Sequence, residues 1–146
     1  MVPYAQTIEI YRGDYYSQML RLRQRVWNPI LKNGQGDWAP GPYRDLTGWS
    51  GIFQIRTQPD QISPAGVGTV TIMDQVQTVG GVTYSIPGTV TQNLEPDPNY
   101  APPGEDPGNF LWGWMYYHVK LIDPSGNDYT FLAGTVKLVK GIVSNG

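Results

Sequence analysis

The chain has no cysteine, one histidine, little charge and no long apolar run. Without cysteine there are no disulfides, no thiolate nucleophile and none of the common zinc frameworks, and the redox compartment is left open. With His118 alone, any Ser–His–acid arrangement would have to use that residue as its base. Charged residues make up 15% of the chain against the usual share of about a quarter. The net charge of −2 creates no global field toward nucleic acid or an acidic membrane. No apolar run approaches the roughly 20 residues that cross a bilayer as a helix. The start, Met1-Val2-Pro3-Tyr4-Ala5-Gln6, lacks the basic residues and apolar stretch of a signal peptide. Neither a Walker-type loop nor a dinucleotide fingerprint is present. These absences predict a non-enzymatic protein made in the cytoplasm without secretion, with no cofactor, no nucleic-acid partner and no membrane partner.

What fills the space is turn-forming and aromatic: 18 Gly, 13 Pro, 10 Tyr and 5 Trp. Such a chain is rich in turns and poor in helix, yet carries enough apolar area to fold. Its 146 residues predict one domain, 1–146, with a real core.

Hydrophobic periodicity is mostly that of strands. Met115, Tyr117, Val119 and Leu121 alternate with Tyr116, His118 and Lys120, and Leu132, Gly134, Val136 and Leu138 resume the pattern beyond Asp123-Pro124-Ser125-Gly126-Asn127. That linking segment is turn chemistry, so the pair predicts a hairpin with one apolar face. Strands are also predicted over 7–11, over 49–56 with Phe53 and Ile55 inward, and over 67–73 with Val70 and Ile72 inward. Residues 76–86 read either as a hairpin about Gly80-Gly81 or as a loop feeding one strand. Residues 15–26 fit a strand, with Leu20 and Leu22 on one side and Arg21, Arg23 and Arg25 on the other. Met19, Leu22 and Val26 also fit helical spacing, but turn residues flank the stretch and no cap does, which favours the strand. Residues 27–47, with Pro29, Pro40 and Pro42 and several glycines, predict an irregular segment. Residues 87–109, with six prolines and only acidic charges, predict a second long loop. About six to eight short strands joined by short connections predict an antiparallel β-sandwich, with a small barrel as the competing architecture.

The candidate chemistry is sparse. His118 lies in mid-strand, where a packed or edge residue is the plain alternative to a catalytic base. Asp97, Asn99, Glu105 and Asp106 are hard oxygen donors, but their spacing fits no calcium loop, so no metal is predicted. Arg12-Gly13-Asp14 spells an adhesion tripeptide that a tight turn between strands explains equally well. Arg21, Arg23 and Arg25 could form a basic strip for an acidic partner surface. Trp27, Trp38, Tyr43, Tyr100, Phe110, Trp112 and Trp114 lie in or beside the two long loops. Tryptophan and tyrosine anchor protein interfaces because they bury much area at low entropic cost. They also stack on sugars, or simply cover the open end of a sandwich. These ten residues are the predicted interface set.

Three segments resemble, together and in order, a small immunoglobulin-like domain of tailed-bacteriophage virion proteins, similar to the N-terminal domain of baseplate upper proteins. They are the Gly13-Asp14 turn, the stretch Asp45-Leu46-Thr47-Gly48 leading to Gln54-Ile55-Arg56, and the closing strand with Gly134-Thr135-Val136. The chain departs from that pattern by long insertions at 28–44 and 95–109. The resemblance implies an immunoglobulin-like sandwich and a non-enzymatic virion component that docks other virion proteins in a symmetric assembly. A tail or baseplate adaptor for fibres or spikes is the first placement it suggests. A capsid decoration (cement) protein is the alternative, and a carbohydrate-binding module a further one.

Overall fold

The computed structural model describes residues 4–97 and 113–139. They are nearly all β, in the order β1 (Tyr4–Ala5), β2 (Ile8–Tyr11), β3 (Tyr16–Arg21), β4 (Arg23–Asn28), β5 (Asp37–Tyr43), β6 (Ser50–Arg56), β7 (Gly66–Ile72), β8 (Gly81–Ile86), a single helical turn α1 (Gly88–Thr91), β9 (Gly113–Ile122) and β10 (Asp128–Val139). One eight-stranded sheet carries β1 and β2 on β10, then β9, β6, β7, β8 and β3, while β4 and β5 pair only with each other.

The large sheet folds over into a two-layered, sandwich-like body, and β7 is the corner. Its first residues pair with β6, Phe53 opposite Gly68 and Ile55 opposite Gly66. From Thr69 onward it pairs with β8 instead. Gly68 sits at the handover, where a methyl group would collide with the Ser85 carbonyl and the Phe53 ring. A glycine at a sheet corner is what such close backbone approach requires.

Alternation along each strand puts one face into a common core of Ile8 and Ile10, Phe53 and Ile55, Tyr84 and Ile86, Met115 to Leu121 at every second residue, and Leu132, Val136 and Leu138. An aromatic relay crosses it. The Phe53 ring meets Tyr84 edge-on at 5.2 Å and Tyr117 at 6.3 Å, and Tyr84 leans on Tyr16 at 6.2 Å. The relay therefore ties β9 and β6 in one layer to β8 and β3 in the other. The Tyr117 hydroxyl donates to the Gln6 carbonyl at 2.7 Å, which fastens the N-terminal segment to the same relay. Burial pushes the Tyr16 and Tyr117 phenols far above their ordinary range, so both remain neutral donors.

The closing hairpin, β6 and β7 lie where the periodicity predicts, and residues 76–86 form a loop feeding one strand. Three expectations need correction. First, β1 and β2 run parallel to β10, so the sandwich is not wholly antiparallel. A short connection predicts antiparallel neighbours only when it joins adjacent strands, and the β2–β3 turn passes from one layer to the other. Second, the stretch 15–26 is two strands, broken at Leu22. Third, residues 27–47 are not irregular throughout: they hold the end of β4 and all of β5, which passes straight through Pro40, Gly41 and Pro42. Proline is excluded from central strands because it lacks a donor, but β5 has one open edge and a register shift lies beside Arg25.

Gly68→Ala is expected to lower unfolding free energy by about 1–3 kcal/mol, the usual cost of overpacking, read from the urea midpoint at unchanged slope. Tyr117→Phe should cost about 1 kcal/mol for the lost bond to Gln6. An unshifted midpoint for Gly68→Ala would remove the corner as the account of how the sheet folds over.

Candidate functional site

The structure gathers most of the described interface candidates on β4–β5. The chain leaves and re-enters the sandwich at one pinch. The Leu22 amide donates to the Gly80 carbonyl, and the Arg44 amide donates to the Leu22 carbonyl, each at 2.8 Å. Gly80 is at φ +81, and a Cβ there would press on Leu22. Between the two halves of the pinch the ribbon pairs Arg23 with Tyr43, Arg25 with Pro40, Trp27 with Trp38 and Asn28 with Asp37. Its turn takes four consecutive or near-consecutive left-handed residues, Lys32, Asn33, Gly34 and Gly36. Asn33-Gly34 is a strong short hairpin signal, outweighed in the sequence by the prolines and glycines around it.

Because opposite residues of an antiparallel pair share a face, Arg23, Arg25 and Trp27 form one ladder with Tyr43, Pro40 and Trp38. All six are exposed. The two tryptophans meet edge to face at 5.6 Å, yet Trp27 and Trp38 remain 49% and 52% exposed. Ile30 at the tip is 80% exposed. The Arg21 guanidinium lies 3.8 Å from the Tyr43 ring centre and that of Arg23 lies 5.3 Å from it. Arg21, though on β3 and across the break at Leu22, thus joins Arg23 around one aromatic ring. Arg21 also donates to the Val79 carbonyl and Arg23 to the Gly41 carbonyl. Arg21 and Arg23 are therefore held in place by carbonyl oxygens and an aromatic ring. Among the described residues, the ribbon's one ion pair is Lys32–Asp37 at 3.2 Å. The Trp38 amide, then Lys32 and more weakly Arg25, hold the Asp37 carboxyl below its ordinary range.

The remaining candidates fall elsewhere. Trp114 is buried at the start of β9, 8% exposed, beside Gly113, whose Cβ would run into Pro96. It does not belong to the exposed aromatic set. Tyr100, Phe110 and Trp112 lie outside the described residues, as do Asn99, Glu105 and Asp106 of the acidic loop. Asp97 accepts a 2.7 Å bond from Gln58. Arg12-Gly13-Asp14 is pinned as a turn: the Thr91 hydroxyl accepts from the Gly13 amide and donates to the Asp14 carbonyl. The Arg12 Nε donates to the Gln92 carbonyl.

His118 lies on the outer face of the sheet, in an open hollow of about 370 Å³ lined also by Arg56, Tyr116 and Thr135. Arg56 Nη1 is 3.2 Å from His118 Nδ1 and donates to it, while Arg56 Nε donates to the Gln61 carbonyl. A cation is the wrong partner for a catalytic imidazole, which is oriented by an acid. Burial first, then the charges of Arg56 and Lys120, push the imidazole pKa below 6.5.

No family model and no curated protein matches the chain.

The depressed histidine predicts a pH dependence. Its folded pKa lies below the unfolded value, so the neutral ring's contribution is complete above about pH 6.5 and is lost as pH falls through the folded pKa. The thermal midpoint should therefore decline between about pH 7 and 5, and His118→Gln should flatten that decline. Asp37, Asp45 and Asp123, whose pKa values are lowered, act only in a separate window below 3.8. Identical slopes for wild type and His118→Gln above pH 5 would overturn the assignment.

Proposed function

We propose that the chain is a non-enzymatic docking module whose contact element is the β4–β5 ribbon. The observation that carries this reading is the Arg–aromatic ladder on an element outside the core. A free two-stranded hairpin is marginal in water; the cross-strand Trp27–Trp38 pair contributes about 0.2–1 kcal/mol to it, yet leaves about half of each side chain exposed. Tryptophan, tyrosine and arginine are the residues that concentrate binding energy at protein interfaces. The pinch at Leu22 holds the ribbon to a rigid body, which suits an element kept ready for a partner.

The sequence resemblance supports the biological setting: an immunoglobulin-like structural component of a tailed-bacteriophage virion, placed in the tail or baseplate as an adaptor between other virion proteins. A capsid lattice position is the competing placement, and copy number per particle separates the two. Hundreds per particle would indicate the head; a dozen or so would indicate the baseplate.

Trp27→Ala/Trp38→Ala is expected to leave the urea midpoint of the sandwich within about 0.5 kcal/mol of wild type. Incorporation into particles, measured by immunoblot of purified virions, should fall tenfold or more. A folded double variant that incorporates like wild type would sink the docking role of the ribbon.

A further inference from the structure

The chain's charge is divided in a way that identifies a partner for the ribbon. Residues 21–44 hold five of the 10 Lys and Arg but one of the 12 Asp and Glu, a net +4. The rest of the chain holds the other five cations and eleven acids, a net −6, which together give the overall −2.

Topology puts Asp14, Asp60, Glu95 and Asp97 at the opposite end of the sandwich from the ribbon, while Asp45, Asp74, Asp123 and Asp128 lie in loops at the ribbon's own end. Strand β3 runs from Tyr16, opposite Ile86, to Arg21, opposite Gly81, and the ribbon departs from its far end. Asp14 lies just before its near end. There the Asp14 turn is bonded to Thr91 of α1, and the segment after α1 carries Glu95 and Asp97. Asp97 is bonded in turn to Gln58 of the β6–β7 turn, which carries Asp60. Asp14, Asp60 and Glu95 are exposed. Two large apolar side chains stand in the same loops, Ile62 at 93% and Tyr15 at 66% exposure. Of the cations toward that end, Arg12 and Arg56 are tied to the Gln92 and Gln61 carbonyls, and Lys137 stands beside Glu9 on the neighbouring strand.

We propose that the ribbon's partner is a second copy of this chain, engaged head to tail: the Arg–aromatic ladder of one copy seats on the acidic end of the next, with Trp27 and Trp38 against Ile62 and Tyr15. This rests on the docking reading above. The two contact patches are different and lie at opposite ends, so the interface is heterologous and closes a ring or extends a row. Like charge disfavours the alternative pairing of ribbon on ribbon, because residues 23–43 carry Arg23, Arg25 and Lys32 against Asp37, a net +2 on each copy.

Sedimentation velocity of the full chain over about a thousandfold concentration range tests the proposal. Wild type should associate with concentration, and about 0.5 M salt should weaken the association tenfold or more. Arg23→Glu/Arg25→Glu and Asp60→Lys/Glu95→Lys should each be monomeric with an unchanged thermal midpoint. An equimolar mixture of the two should associate again in a 1:1 ratio, because every contact in an alternating row pairs opposite charges. That rescue excludes loss of folding as the explanation.

A wild type that stays monomeric throughout overturns the proposal, as does Asp60→Lys/Glu95→Lys associating like wild type, the mark of a ribbon-to-ribbon contact. The docking reading fails separately. Monomeric wild type with Trp27→Ala/Trp38→Ala still lost from particles removes the second copy as partner and leaves docking intact. Charge-rescued association with normal incorporation of the tryptophan variant supports the self-contact and removes the particle role.

Discussion

The fully buried Phe53 ring, held edge-on between Tyr84 and Tyr117, is the contact on which the body of the molecule depends. A sheet that folds over at β7 has two faces to join, and this relay joins them with large rings in favourable quadrupole geometry. Tyr16 extends it to the edge strand β3, and the Tyr117 hydroxyl extends it to the N-terminal segment. The handover at Gly68, directly opposite Phe53, places the corner and the relay at the same point. Packing and backbone path therefore specify one arrangement together.

The pinch at Leu22 separates that body from the ribbon. Two backbone bonds at 2.8 Å and the Arg21–Tyr43 contact carry the connection, with the Arg44 guanidinium 5.7 Å from the Trp49 ring on the sandwich side. None of the six ladder residues belongs to the core. An element outside the core is free to display apolar surface that a core strand would have to bury.

The closing hairpin was legible because period-two alternation leaves one register that buries Met115, Tyr117, Val119 and Leu121. Its bulge at Phe131 was not legible, since an extra residue alters alternation by a single step. The ribbon was misread because Pro40 and Pro42 argue against a strand with two neighbours, whereas this strand has one. Arg21, Arg23 and Arg25 read as one strip on a single strand face, but the strand breaks at Leu22. Arg21 and Arg23 instead meet around the Tyr43 ring, and Arg25 lies farther along the ribbon. Trp114 was placed among exposed aromatics by its nearness to the second loop, and the start of β9 buries it.

By itself the sequence determined the all-β class, the inward face of most sandwich strands, and an Arg and Trp content that favours interfaces. All of these follow from local period and side-chain chemistry. Only the tertiary structure decided the parallel docking of β1 and β2 on β10, the corner at Gly68, and the ladder that sets Arg23, Arg25 and Trp27 against Tyr43, Pro40 and Trp38. Those depend on which strands become neighbours across long stretches of chain. No residue type or spacing encodes that choice until the core has closed around Phe53.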